Sequence, residues 1–183
     1  MKRNHDLWMT LTIVGIAFTR LLPHWPNFTP VLAVALCGGM LLNDRRSIIV
    51  PLAAMLLSDA AMGMAFGAEY ALHAAQPYVY GCILLTALLG RSLAHWASAK
   101  ALFVGGSAAG IGFFLVTNGA VWMHGTMYPR TLEGLITCYA AGLAFYRDSG
   151  NFLLNGVVST WLFGGIILAA HSALRRPLGR RTT

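Results

Sequence analysis

An aspartate, Asp59, stands inside the apolar run Val50-Pro-Leu-Ala-Ala-Met-Leu-Leu-Ser-Asp-Ala-Ala-Met-Gly63. An ionisable side chain in such a run is costly unless it is paired, and it commonly has a function. Farther along, Asn118 and Trp122 share one helix face at i, i+4. The string Arg20-Leu-Leu-Pro-His-Trp-Pro-Asn-Phe-Thr-Pro-Val31 places His24, Trp25 and Asn27 between two hydrophobic runs. His73, Tyr78, His124, Tyr128, Arg130 and Arg147 complete the polar and aromatic set. These residue types suit recognition: amide and hydroxyl hydrogen bonds, ring stacking on Trp and Tyr, and charge from Asp and Arg. His24, His73 and His124 also allow a metal, because neutral imidazole suits zinc, copper, iron and nickel. Their wide separation supplies no ligand spacing.

Each of these residues has a plainer reading. Trp25, Trp122 and Tyr128 are the aromatics expected in a membrane-interface belt. Asp59 can pair with Arg20 as a structural lock as well as contact a ligand, and both readings stand. Cys37, Cys82 and Cys138 lie in apolar surroundings without a CxxC, which reads as small buried hydrophobes. No GxSxG or HExxH occurs, so nothing marks an enzyme. The glycines Gly105, Gly106, Gly110 and Gly112 look like a phosphate loop, but they lie in an apolar run with no Lys-Ser/Thr after them. Close helix packing explains them better.

The elements that hold these residues follow from composition. Hydrophobic residues make up 57% of the 183 and charged residues only 10%, against about 25% charged in a soluble domain. The apolar runs approach the roughly 20 residues needed to cross a bilayer as helix. We therefore expect an all-α membrane protein forming a single domain over residues 1–183, with six transmembrane helices. The spans run over Leu7–Leu22, Pro30–Leu42, Ser47–Phe66, Pro77–Leu93, Lys100–Met123 and Phe152–His171. Thr131–Tyr146, which carries Glu133 near its start, reads as an extra interfacial helix before the sixth span, with a seventh span as the alternative. Lys2 and Arg3 precede the first run as in a signal peptide, but no small-residue cleavage site follows, so that run is expected to be retained.

Charge placement sets the orientation. With six spans and the N-terminus inside, ten of the 13 Lys and Arg residues face the cytoplasm, and only Arg20, Arg130 and Arg147 face out. That bias predicts both termini in the cytoplasm, and a seventh span would put the four C-terminal arginines outside. The net charge of +7 is thus explained by topology and calls for no nucleic acid. The same scheme gathers the polar set at the outer end.

The proline-rich string then acquires a role. Pro30–Leu42 is 13 residues, about 20 Å of helix at 1.5 Å per residue, short of a hydrocarbon core about 30 Å thick. Thr29 and Pro30 suit N-cap and first helical position. The residues before them are therefore expected to re-enter the membrane, where irregular backbone is tolerated only when buried by protein or lining a watery cavity. A re-entrant outer loop that walls an outward pocket is the expectation.

The string at Arg20–Val31 resembles a bacterial family of small membrane proteins, as do the run Val50–Gly63, Phe113-Phe-Leu-Val-Thr-Asn-Gly-Ala-Val-Trp122 and Met127-Tyr-Pro-Arg-Thr-Leu-Glu-Gly-Leu-Ile-Thr-Cys-Tyr-Ala-Ala-Gly142. That family looks like the substrate-binding S components of energy-coupling factor (ECF) transporters, including solitary cobalamin-binding members. The resemblance implies six helices, a vitamin or metal bound from outside, and small residues of the first helix packed on a transmembrane coupling subunit that works with ATPases. It assigns Gly15 and Thr19 to that contact, where such proteins commonly carry two alanines.

These readings together predict an uptake protein in the bacterial inner membrane that binds a small nutrient, with a corrinoid as the specific candidate, and needs no cofactor of its own. The substrate residues expected are His24, Trp25, Asn27, Asp59, His73, Tyr78, Asn118, Trp122, Tyr128 and Arg147. His73 is the expected ligand to the cobalt of a bound corrinoid. A membrane metal protein or enzyme built on the three histidines, or a structural subunit, are the alternatives.

Overall fold

The computed structural model describes residues 2–42, 44–68 and 75–175. Seven α-helices carry the described chain: α1 Lys2–Phe18, α2 Val31–Leu41, α3 Arg46–Phe66, α4 Gln76–Ser92, α5 Ala99–His124, α6 Leu132–Leu143 and α7 Phe152–Arg175. Among the described residues there is no strand, only an isolated bridge between Tyr146 and Gly150. Helices α3, α5 and α7 are long and apolar enough to cross a membrane. Their outer faces carry Leu57, Phe103, Leu115, Leu162 and Ile166, all about half exposed. Water would disfavour that surface, whereas lipid accommodates it.

Two ion pairs tie α1 and α3 together. Arg46 Nη1 lies 3.5 Å from Asp6 Oδ2 near the helix starts, and Arg20 pairs with Asp59 near their ends. The two helices therefore run parallel. We call the end that holds the connection 19–30, the start of α4 and the start of α7 the upper end.

α2 is the axle of the bundle. Leu32 to Leu41 are buried throughout, as expected of a short helix that is apolar on every side. It packs against α1, α3, α4, α5 and α7. Its closest approach is to α4, where a Cβ on Gly90 would overlap the Leu36 carbonyl and one on Gly39 would overlap the Ala87 carbonyl. Backbone meets backbone there, which only glycine permits. Gly105, Gly106 and Gly110 of α5 are also closely packed: a Cβ on Gly110 would stand 2.6 Å from a Val157 methyl of α7, whereas Gly112 has open space beside it. Packing, as expected from the sequence, is what three of the four glycines in this run do.

The helices match the expected segments within a few residues, with three corrections. α1 begins at Lys2 and ends at Phe18, not at Leu22. Thr19–Leu21 tightens into a 3-10 turn, closed by Leu22 N–H donating to the Thr19 carbonyl at 3.1 Å. Gly15 and Thr19 therefore do not lie on one continuous α-helix. α2 begins one residue later than expected, with Pro30 in the N-cap position and no side-chain cap. Finally, α6 is shorter than Thr131–Tyr146, because the chain turns back after Leu143.

Candidate functional site

Three features occupy the upper end, and the sequence-predicted residues divide among them. The first is a polar cluster around Asp59, which is only 3% exposed. Arg20 Nη1 donates to Asp59 Oδ1. Gln76 Nε2 and the Tyr80 hydroxyl both donate to Oδ2, the latter at 2.8 Å. Arg20 Nη1 also reaches Met55 Sδ at 3.3 Å and Ser58 Oγ at 3.5 Å. The carboxylate, carried on α3, thus holds three donors, one from the turn after α1 and two from α4. A buried charge kept this way is paired and hydrogen-bonded, the condition under which its burial is tolerable. The lock between Arg20 and Asp59 is real, and Asp59 is not among the residues lining any of the cavities described here.

Gln76 and Tyr80 escaped the sequence reading. They stand four apart at the start of α4, on one face. That spacing, at the end of the bundle where Asp59 sits, was the signal available.

The second feature is a chamber of about 500 Å³, bounded among others by Asn27, Phe113, Asn118, Tyr128, Tyr146 and Phe152. Three local structures build it. The first is the turn in the string: Phe28 N–H donates to the Trp25 carbonyl at 2.9 Å, and Asn27 takes φ 63°. Proline in the second place and a left-handed asparagine in the third is the type II pattern. Asn155 of α7 fastens this turn, its Nδ2 donating to the Pro26 carbonyl at 2.9 Å and to the Ser149 carbonyl at 2.7 Å.

The second local structure is α6. Thr131 caps it, accepting at Oγ1 from Gly134 N–H at 3.1 Å. Tyr139 donates to the Leu115 carbonyl of α5 at 2.8 Å, and Gly142 lets α6 close on Phe114 and Asn118. The third is the turn between α6 and α7, where Tyr146 N–H donates to the Gly150 carbonyl at 3.0 Å. Asn151 Oδ1 then caps α7 through Leu154 N–H at 2.9 Å.

Inside the chamber, Asn118 Nδ2 bonds its own helix at the Phe114 carbonyl, 2.9 Å away. Asn27 Nδ2 reaches the Phe152 carbonyl at 3.4 Å. Both amides keep their carbonyl oxygens as acceptors. Partial burial, with Cys138 and Tyr146 adding, raises the Tyr128 hydroxyl from its ordinary pKa of 10.0, so it remains a donor at neutral pH. Apolar walls with a few fixed polar groups are what a small-molecule site requires.

The third feature is a groove of about 700 Å³ on the other side of the string, where Thr19, His24, Trp25, Phe28 and Phe163 meet. His24 Nδ1 lies 2.6 Å from the Leu22 carbonyl, and Trp25 is 54% exposed. Residues expected from the sequence to share one site line two different spaces here. The turn at Asn27 sends Pro26 and Asn27 to the chamber and leaves His24 and Trp25 outside it. Neither periodicity nor composition specifies that reversal.

The remaining expected residues that the structure describes stand apart from the chamber lining. The Tyr78 hydroxyl lies 2.6 Å from His124 Nε2, joining α4 to α5. Trp122 Nε1 donates to the Pro129 carbonyl at 3.0 Å, which holds the chain between α5 and α6. Arg147 is exposed in the turn before α7. His73 lies outside the described residues, and with it the expected cobalt ligand. Among the described residues, no three His, Cys, Asp or Glu side chains come together as a metal set. Gly15 is exposed on α1 with open space where a Cβ would be, while Thr19 donates to the Ile16 carbonyl at 2.7 Å.

No curated protein and no solved structure matches this chain. Its family is shown by sequence alone: residues 1–180 match the model of a family of unknown function, DUF6580, and the chain belongs to that family.

Proposed function

We propose that this protein is a membrane-embedded binding and uptake subunit for a small nutrient, similar in role to the S components of ECF transporters. The chamber is the observation that carries the reading: about 500 Å³ of space at one end of an apolar bundle. That volume falls within the roughly 300–1,000 Å³ of pockets that enclose drug-sized ligands. The bias of basic residues puts this end outside, so the ligand enters from the exterior and both termini lie in the cytoplasm. In this scheme six helices span the membrane, the string re-enters it, and α6 lies across the outer end as a partial roof.

The ligand is a compact, ring-bearing molecule. A corrinoid exceeds the drug-sized class and would project from the chamber, with His73 as its candidate axial ligand. The exposed strip of α1 around Leu11 and Gly15 offers a coupling subunit a flat surface in the bilayer. Release to the cytoplasm would use the energy of a separate ATPase module or of the ligand's own gradient.

A thermal-shift screen of detergent-purified protein against vitamins and divalent metals tests this reading. The expected result is stabilisation by at least one compact vitamin, abolished in Asn118→Leu. Stabilisation by metals alone would put the metal-protein reading ahead of it.

A further inference from the structure

Beside the chamber lies a narrower arm of about 160 Å³, bounded among others by Arg20, Asn27, Thr29, Gln76, Phe113 and Gly156. Asn27, Val79 and Phe113 border both spaces, so the arm adjoins the chamber across these residues. Two observations mark it as kept open. Gly156 on α7 is buried, yet a Cβ there would meet nothing within 4 Å. The other glycines with such open surroundings are exposed or half-buried among the described residues. Glycine is a poor helix former, and no close packing requires it at this position.

The second observation is chemical. Arg20 uses only Nη1 on Asp59, Ser58 and Met55. Its Nε and Nη2 donors have no protein partner among the described residues, and neither belongs to the buried unsatisfied atoms. Gln76 gives Nε2 to Asp59 and keeps Oε1 as an acceptor. The arm therefore ends in charge-assisted N–H donors next to an amide carbonyl.

Charge decides which head group belongs there. Asp59 already balances Arg20, and the Arg20 side chain is only 14% exposed. A carboxylate in the arm would be a third charge without a counterion in a poorly solvated place, and an ammonium would face the guanidinium directly. A neutral group that presents both C=O and N–H meets neither penalty. Its carbonyl accepts from Arg20, and its N–H donates to Gln76 Oε1. We infer that the arm receives an uncharged amide-, lactam- or ureide-type head group, while the ring or apolar body of the same molecule fills the chamber. This inference rests on the chamber being a ligand site.

The test is calorimetric titration of the full chain in detergent with two matched sets of probes. One set is nicotinamide, nicotinate and 3-pyridylmethylammonium; the other is 2-naphthamide, 2-naphthoate and 2-naphthylmethylammonium. In at least one set the amide should bind at least tenfold tighter than its charged partners. Gly156→Leu, which fills the arm without a clash at Cβ, should weaken that amide at least tenfold and leave the melting temperature unchanged. Thr29→Val, an isosteric change at the arm's edge, should weaken it a few-fold. A carboxylate or ammonium that binds as tightly as the amide overturns the inference, as does an amide whose affinity Gly156→Leu leaves intact. If a charged probe binds and Asn118→Leu removes that binding, the chamber reading stands and the neutral head group falls. If no probe binds, the inference falls, and a blank vitamin screen alongside it removes the chamber reading as well.

Discussion

The two halves of this bundle use the same helices in opposite ways. Toward the lower end, α2 and α4 meet through Gly39 and Gly90 with their backbones in contact, leaving no room for a ligand. At the upper end the same α4 contributes Val79 to a chamber, and the string and α6 stand between the long helices. The difference arises from α2, which is only 11 residues long, about 16 Å of helix. Below its start α2 contributes to two clusters of buried apolar side chains, one on each side. Above it an irregular string replaces helix, and the space that a longer α2 would fill becomes a cavity. Within the upper half the polar groups divide again: the Asp59 carboxylate is fully paired, whereas Asn27, Asn118 and Tyr128 keep acceptors and donors facing open space.

That contrast can be broken most forcefully at the cluster. Asp59→Leu leaves Arg20 buried without its counterion and should destabilise the protein by about 3–5 kcal/mol. Arg20→Met combined with Asp59→Leu should recover most of that loss, because a matched apolar pair carries no desolvation penalty. Denaturant titrations in mild detergent on the single and double variants provide the comparison. A double variant no more stable than Asp59→Leu alone would show that the pair is not a self-contained lock.

A pair of glycine replacements sharpens the contrast between the halves. Gly90→Leu drives a side chain into the Leu36 carbonyl of α2, and overpacking of this kind costs about 1–3 kcal/mol or more. Gly156→Leu adds the same atoms where a Cβ meets nothing and should leave the melting temperature unchanged. Equal loss in both variants would mean that the upper half is packed as tightly as the lower.

Much of this architecture is legible in the sequence because helix ends and apolar runs are local properties. Proline at 30, the paired arginines at 45 and 46, and the Tyr-Arg-Asp that ends at 148 mark breaks that the structure also places close by. The site was less legible. Whether His24 or Asn27 faces the chamber depends on one left-handed residue, and that reversal leaves no periodic trace. Gln76 and Tyr80 look like an ordinary helix start until Asp59 is placed beside them. Phe113 and Val79 could not be singled out at all, because a cavity wall, a lipid face and a packed core all accept the same apolar residues. Asp59 was visible as a lone acid inside an apolar run, but its pairing with Arg20 was one of two readings that the sequence left open beside ligand contact.

The central claim is that the chamber, and not the groove beyond the string, takes the ligand. It is tested by measuring affinity and melting temperature together on Asn118→Leu, Phe113→Ala, His24→Ala and Trp25→Ala, with whichever vitamin stabilises the parent protein. The account predicts at least tenfold weaker binding in Asn118→Leu and Phe113→Ala, with affinity within about twofold of the parent in His24→Ala and Trp25→Ala and all four proteins folded. Binding lost in His24→Ala and Trp25→Ala but retained in the chamber variants would contradict it and move the site to the opposite side of the string.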